Sequence, residues 1–384
     1  MAQTKPTLGI LTLYLNENRM LEERAVYQKM TQYGNKIGLD IVVFTPQDVN
    51  NSERRIHSMV YNTATGKWSR KWMAFPNMIY DRCRIQRSYR FEQLKKFRAR
   101  YGHLTFLNRP MRNKWTVYKT LIGDTRFRPH LPLTRMVDGS RDVMQMLEKH
   151  SLVYFKPING TGGRGILRIE RKEKGVWLVE GRDLSRRMIR PEKFSSQGLQ
   201  NKIIAWRGKE KKYVVQQGIN LKLANGRVHD YRLLVQKNGS GEWDVTGCAG
   251  RVGARGSVTS NLHGGGRAAP MSSLLKQWIG SDSKAASIEQ KAGELGVQIA
   301  AHLEKSFGQL CELALDLAID RSGHIWLLEV NPKPAREVFA RAGDRETYRK
   351  ALSRPLEYAL WMYEQKRRRR NYRPDPGNEG EFSG

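Results

Sequence analysis

The chain has 384 residues, 39% of them hydrophobic and nine of them tryptophan, which excludes wholesale disorder and is enough for about two or three domains. Its 68 basic and 37 acidic side chains leave a net charge of +31, which favours anionic partners (nucleotides, nucleic acid, anionic polymers, a membrane surface) without choosing among them. Three widely spaced cysteines, Cys83, Cys248 and Cys311, give no disulfide framework and no zinc spacing and point to a reducing, cytoplasmic setting, and no apolar run reaches the ~18–20 residues of a membrane helix.

In chain order, "TLGILTLYL" and "LDIVVFTP" predict buried strands on either side of a helix from Glu22 to Lys36. The first of these lacks a small-residue cleavage site and runs straight into "NENR", so it reads as a strand and not as a signal peptide. "KWMAFPNMIYDRC" predicts another buried strand. The stretch from Ser88 to Arg100 predicts an amphipathic helix with Tyr89, Phe91, Leu94 and Phe97 buried. That stretch and "KWSRKW" also interleave basic and aromatic residues, a pattern that suits base stacking, but the helical spacing favours the packed helix over a nucleic-acid surface. Residues 1–107 therefore read as an N-terminal α/β domain.

The texture changes from "LTFLNRP" onward. Helices are expected over residues 113–124, 141–150 and from Ser287 to Phe307. Strands are expected at "SLVYFKPI", "GILRIE", "GVWLVE" and "KYVVQQGINL", with a hairpin of "VHDYRLLVQ" and "EWDVTGCAGRVG" around "KNGSG". Residues 108–365 read as a second domain, with a lid subdomain at about 150–220 and a metal and substrate subdomain at about 221–335. Residues 366–384, opening on "KRRRR", read as a basic, disordered tail.

Two segments carry chemistry. In "FKPINGTGGRGILRI" a lysine, Lys156, stands before Gly160, Gly162, Gly163 and Gly165. Glycines let backbone N–H groups approach an anion without a Cβ in the way, and the lysine can supply charge to a phosphate. The spacing is neither a Walker loop nor a dinucleotide loop, because the residues that follow alternate like a strand. This is a strand–loop–strand lid, although a plain glycine-rich hairpin turn would share its local pattern.

The second segment is "CELALDLAIDRSGHIWLLEVNPKP". Alternation places Leu313, Leu315, Leu317 and Ile319 on one face, with Glu312, Asp316 and Asp320 on the other. Ile325, Leu327, Glu329 and Asn331 are expected to share a face of the next strand. A turn at Ser322-Gly323, with Arg321 opposite His324, sets Asp316 opposite Glu329. Facing carboxylates are destabilising without positive charge between them, so Asp316, Glu329 and Asn331 suit Mg²⁺ bridging phosphates. A solvated acidic patch is the plainer alternative, but the apolar strands around it argue for burial.

With these residues in place, the chain resembles the ATP-grasp superfamily, an α/β (α+β) fold. The shared pattern is a lysine-bearing strand, a small glycine-rich lid, a hinge strand and a terminal "D…E-x-N" set, in that order over about residues 108–335. More narrowly, "LGILTLYL", "NKW", "KPINGTGGRGI", "VQQGINL", "DYRLLVQ" and "SNLHGGG" resemble the YheC/YheD group of endospore coat-associated proteins. The resemblance implies an ATP-grasp fold behind an N-terminal α/β pre-domain, with ATP and Mg²⁺ (or Mn²⁺) as cofactors. It implies that Lys156 binds the α/β phosphates and that Lys114, ahead of Lys119, is the other phosphate lysine. Gln216, Gln217 and Ile219 would form the hinge that meets adenine, and Arg232, Arg251 and Asn261 would line the phosphate and acyl site. Many relatives carry a hinge glutamate where this chain has Gln216-Gln217, which leaves the ribose contact unassigned.

The implied chemistry is carboxylate activation to an acylphosphate, followed by attack of an amine, during spore formation or on spore-coat components. The positive chain would suit an acidic carboxylate substrate. No side-chain nucleophile is needed, and His263 reads as a structural loop residue more than as a base. The rival reading is a non-catalytic coat scaffold that keeps a nucleotide-binding fold.

Overall fold

The computed structural model describes residues 5–84, 89–111, 113–159, 162–208, 212–262 and 265–371. The chain divides into two compact units, one of residues 1–109, 237–242 and 352–384, the other of residues 110–236 and 243–351.

The first unit opens with β1 (Thr7–Leu11), α1 (Arg24–Lys36), β2 (Asp40–Phe44) and β3 (Val49–Asn50). It continues with β4 (Arg55–Asn62), β5 (Lys67–Ala74), β6 (Met78–Asp81) and α2 (Tyr89–Tyr101). β1 lies parallel to both β2 and β6, and the apolar runs of these strands are buried, as strands covered on both faces require. The expected single strand over "KWMAFPNMIYDRC" is two: β5 ends at Ala74 and β6 begins at Met78, because Pro76 has no N–H for a ladder. "KWSRKW" is the body of β5, and its aromatics meet β4 across the strands, Trp68 beside Tyr61 and Trp72 stacked on His57. In α2 Leu94 and Phe97 are buried as expected, but Tyr89 is exposed and donates to Glu17 at 3.0 Å.

The second unit begins with α3 (Lys114–Ile122), β7 (Thr134–Val137), α4 (Ser140–Lys149) and β8 (Leu152–Pro157). β9 (Ile166–Glu173), β10 (Val176–Arg182), β11 (Met188–Ser195), α5 (Ser196–Arg207) and β12 (Tyr213–Gln217) follow. β7 to β12 form one sheet in the order β11-β10-β9-β8-β12-β7. One face packs Val153, Phe155, Leu167, Ile169, Trp177 and Val179 against residues of α4 and α5.

The second sheet of this unit comprises β13 (His229–Lys237), β14 (Trp243–Val252), β15 (Arg267–Pro270), β16 (Glu312–Ile319) and β17 (Ile325–Asn331). Its order is β15-β14-β13-β16-β17. α6 (Met271–Ile279) and α7 (Asp282–Phe307) cover one face, where Leu313, Leu315, Leu317 and Ile319 are fully buried. Burial of this kind contributes about 1.5–3 kcal/mol per side chain. α7 approaches so closely that a Cβ on Gly296 would lie 2.4 Å from Leu233 Cδ2. α8 (Glu337–Arg341) and α9 (Arg345–Asn371) complete the described chain. The expected tail from Lys366 begins as helix, since α9 continues through Asn371, and residues 372–384 lie outside the described residues. Among the described residues no helix is long and apolar enough to cross a membrane.

The closing hairpin differs from expectation near its turn. Asp320, not Arg321, stands opposite His324, its N–H donating to the His324 carbonyl at 3.1 Å, and Gly323 takes φ +92°. A bulge at Leu328 then shifts the register, so that Leu317 pairs with Leu327 while Asp316 pairs with Glu329. Ile325 and Leu327 join the helix-covered core with Val330, and the single-face reading of Ile325, Leu327, Glu329 and Asn331 is corrected. Leu328 and Trp326 pack on the opposite side.

Candidate functional site

The two lysines, Arg232, Arg251, Asp316, Glu329 and Asn331 of the site are delivered by regular backbone. Asn113 caps α3, its Oδ1 accepting the Thr116 N–H at 3.0 Å, and so fixes Lys114 as the first helical residue. Lys156 points from β8, and the neighbouring strand β12 sets Gln216 opposite Tyr154. Lys156 donates to Gln216 Oε1 at 2.7 Å, and Gln216 Nε2 donates to Thr134 Oγ1 at 2.9 Å. The chain then turns tightly after β12: Gly218 N–H donates to the Leu152 carbonyl at 2.8 Å, and a Cβ there would lie 2.3 Å from Leu152 Cγ.

On the facing sheet, Arg232 of β13 pairs with Asp316 of β16 in register. Its Nε donates to Oδ1 at 2.6 Å and its Nη2 to Oδ2 at 3.1 Å. Arg251 reaches Asp316 Oδ2 from β14 at 3.0 Å and also grips Asp230 with two bonds of 2.7 and 2.5 Å. Asn331 Nδ2 lies 3.5 Å from Asp316 Oδ2. Glu329 instead meets Lys114, at 3.3 Å.

These groups surround a cavity of about 160 Å³. Lys114, Lys156, Gly162, Gly163, Gln216, Gln217, Ile219, Arg232, Arg251, Asn261, Asp316, Glu329 and Asn331 all line it. Lys119 is exposed and lines no part of it, so Lys114 is the helix lysine at the site. Gly165 sits just beyond, its N–H donating to the Asp183 carbonyl, while Gly160 and His263 lie outside the described residues. A smaller, apolar cavity of about 50 Å³ adjoins it, walled by Trp115, Val117, Tyr118, Leu121, Val214 and Leu327 and sharing Lys114, Lys156, Gln216 and Glu329.

The glycine loop meets the loop after β14. Gly162, Gly163 and Gly165 have φ of +66°, +70° and +68°. A Cβ on Gly163 would fall 2.7 Å from Asn261 Nδ2, so glycine is required both for conformation and for the close approach.

The electrostatics are strongly coupled. Burial raises the Asp316 carboxyl pKa, but Arg232 and then Arg251 outweigh it and hold the group below its ordinary value. Burial works against the charge of Arg251, yet Asp230 and Asp316 outweigh it and raise its pKa. Burial, reinforced by the nearby Lys114 charge, pulls Lys156 down to about 8.

Asp230 escaped the sequence reading, although a signal existed: in "HDYR" strand alternation puts Asp230 on the same face as Arg232. The two arginines also revise the expected reason for a cation. The positive charge facing Asp316 is supplied by the protein, and among the described residues no three His, Cys, Asp or Glu side chains converge as a metal cluster. The donor set nonetheless fits a hard cation: Asp316 Oδ1 takes one donated bond, and Glu329 and Asn331 add oxygen ligands beside it.

A family model described as YheC/D-like ATP-grasp matches residues 103–362. The endospore coat-associated protein YheC of Bacillus subtilis is 27% identical over 340 residues, covering 85% of this chain and 89% of its own. YheD of the same organism, also named an endospore coat-associated protein, is 25% identical over 368 residues, covering 94% of this chain and 79% of its own. Among solved structures, D-cycloserine synthetase DcsG matches with a TM-score of 0.51 at 12% identity, covering 94% of this chain and 99% of that one. The ADP complex of N5-carboxyaminoimidazole synthetase from Staphylococcus aureus matches with a TM-score of 0.51 at 11% identity, covering 92% and 77%. These two likenesses concern the fold.

Proposed function

The chain belongs to the YheC/D-like ATP-grasp family, and from that premise we propose that it is an ATP- and Mg²⁺-dependent ligase joining a carboxylate to an amine, associated with spore formation or the spore coat. The observation that carries this reading is the single cavity lined by two lysines, two lid glycines, three arginines and the Asp316, Glu329 and Asn331 donor set.

In this reading Lys114 and Lys156 neutralise the phosphates, and the loop N–H groups of Gly162 and Gly163 close over them. Gln216, Gln217 and Ile219 present the hinge backbone to the base. Glu329, Asn331 and Asp316 would hold the cation, with Mn²⁺ an acceptable substitute; when bound it supplies charge neutralisation at the transferring phosphoryl group. Arg251, fixed by Asp230, offers its guanidinium to the oxyanion that forms when an amine attacks the acylphosphate. Arg232 and Asn261 line the acyl side of the site. No side-chain nucleophile takes part.

One observation favours a second reading, a coat scaffold that keeps the fold without turnover: Asp316 is already neutralised by two arginines and has no need of a cation. Calorimetry of ATP with Mg²⁺ separates the two readings. Binding by the native chain that disappears in Asp316→Ala/Glu329→Ala supports the ligase and justifies screening carboxylates and amines for ADP release. No binding by the native chain sinks it in favour of the scaffold.

A further inference from the structure

Among the described residues, the lid carries positive charge that no acid answers. Arg168 shows how this face of the lid sheet ordinarily treats an arginine: it is buried and paired with Glu170 at 3.0 Å and Glu180 at 2.7 Å. Arg182, two residues beyond Glu180 and so on the same face of β10, is only 7% exposed, and its Nε has no hydrogen-bond partner among the described residues. Its backbone pairs with Ile166, which lines the large cavity, as does Arg164.

Arg186 completes the group. It sits in the turn between β10 and β11 with φ +70°, a conformation unfavourable for a side chain of its size, and its Nη2 lies 2.8 Å from where a Cβ on Gly162 would be. Its buried Nε is also unpartnered. The same turn braces the glycine loop, through the Asp183 carbonyl that accepts the Gly165 N–H at 3.1 Å. Burial first, then the charges of Arg164 and Arg182, lower the pKa of Arg186, and no carboxylate acts against them. Three like charges gathered at one edge of a loop oppose folding unless an anion uses them.

We propose that Arg164, Arg182 and Arg186 form an oxyanion receptor on the lid, distinct from Lys114 and Lys156, that grips a ligand with clustered negative oxygens and couples its arrival to lid closure. The inference deepens the ligase reading and rests on it for the coupling to the nucleotide, though not for the anion binding itself. The oxygens have two possible sources, the terminal phosphate of the nucleotide or the carboxylates of an acidic substrate.

The test uses the full-length chain and Arg182→Gln/Arg186→Gln, with Arg186→Gln alone as the milder variant should the double one fold poorly. Calorimetry with ATP–Mg²⁺, ADP–Mg²⁺ and, without nucleotide, a tetraglutamate peptide reads the site. A tenfold or greater loss for ATP but not ADP identifies the terminal phosphate. A comparable loss for tetraglutamate with ATP unchanged identifies the acidic substrate. In either case the melting temperature of the apo variant stays level or rises, because mutual repulsion has been removed. Unchanged affinity for all three probes, or a fall in melting temperature as the sole effect, overturns the receptor. A native chain that binds tetraglutamate through these arginines but not ATP would instead defeat the nucleotide reading and leave the receptor standing.

Discussion

Asp316 and Glu329 stand opposite one another across β16 and β17, yet they are neutralised by different protein cations. Asp316 is held by Arg232 and Arg251 in a buried network, whereas Glu329 pairs with Lys114, at 3.3 Å, with both side chains 26% exposed.

The two carboxylates therefore separate stability from binding. Asp316→Asn leaves two arginines without their common anion and is expected to cost about 3–5 kcal/mol in urea unfolding. Glu329→Gln breaks a partly exposed pair and is expected to cost less than about 1 kcal/mol. In calorimetry Glu329→Gln should nevertheless weaken Mg²⁺-dependent ATP binding at least tenfold, about 1.4 kcal/mol. Equal stability losses in the two variants would contradict this division.

Asp230 acts through Arg251. Replacing it with Asn keeps the shape but removes the charge that receives two of the guanidinium bonds, while Asp316 still receives the third. A loss of about 1.5–3 kcal/mol is expected, in keeping with charge-assisted bonds. If Arg251 serves the oxyanion, turnover should fall more than nucleotide affinity does. A variant whose kcat is intact while its melting temperature drops would make Asp230 purely structural.

How much of this was legible follows from where the information sits. The lid, the lysine before it and the acidic hairpin are local patterns, and the strand alternation of Leu313 to Ile319 survives unchanged in the fold. The opposition of Asp316 and Glu329 was also legible, but through two offsetting departures. The turn is longer than a Ser-Gly pair implies, and the bulge at Leu328 restores the pairing. Bulges carry little sequence signature, because any residue that can turn outward will serve. Alternation alone puts Asp230 on the face of Arg232, but its role depends on β13, β14 and β16 lying side by side, which that alternation does not give. The break at Pro76 was readable from proline's missing N–H.

Two glycines beside the site, Gly163 and Gly218, should respond in opposite ways. Gly163→Ala imposes φ +70° on a side chain and meets Asn261, in a loop with little core to disturb. The left-handed cost is about 1–2 kcal/mol and the loop can relax by opening, so apo stability should change little while ATP affinity falls. Gly218→Ala drives a methyl into Leu152 beside the hinge, where overpacking costs about 1–3 kcal/mol in stability whether or not nucleotide is present. Thermal melts with and without ATP–Mg²⁺ distinguish the cases, and a Gly163→Ala chain with native ATP affinity would remove the lid role from this loop.

Lys156 gives the site a pH signature. Burial and then the Lys114 charge place its folded pKa at about 8, against an ordinary 10.5. Between these values the unfolded chain binds the extra proton, so this lysine makes stability rise with pH from about 8 to 10.5. Below about 8 the folded chain bears the full cost of the buried charge, and above 10.5 that cost is gone. Binding runs the other way, because a phosphate favours the charged amine. ATP should therefore take up protons near pH 8.5, and its affinity should weaken as pH rises beyond about 8. Calorimetry at pH 8.5 in buffers of different ionisation enthalpy measures the uptake directly, and Lys156→Met should abolish it. Proton uptake of the same size in Lys156→Met would assign it to another group and take Lys156 away from the phosphates.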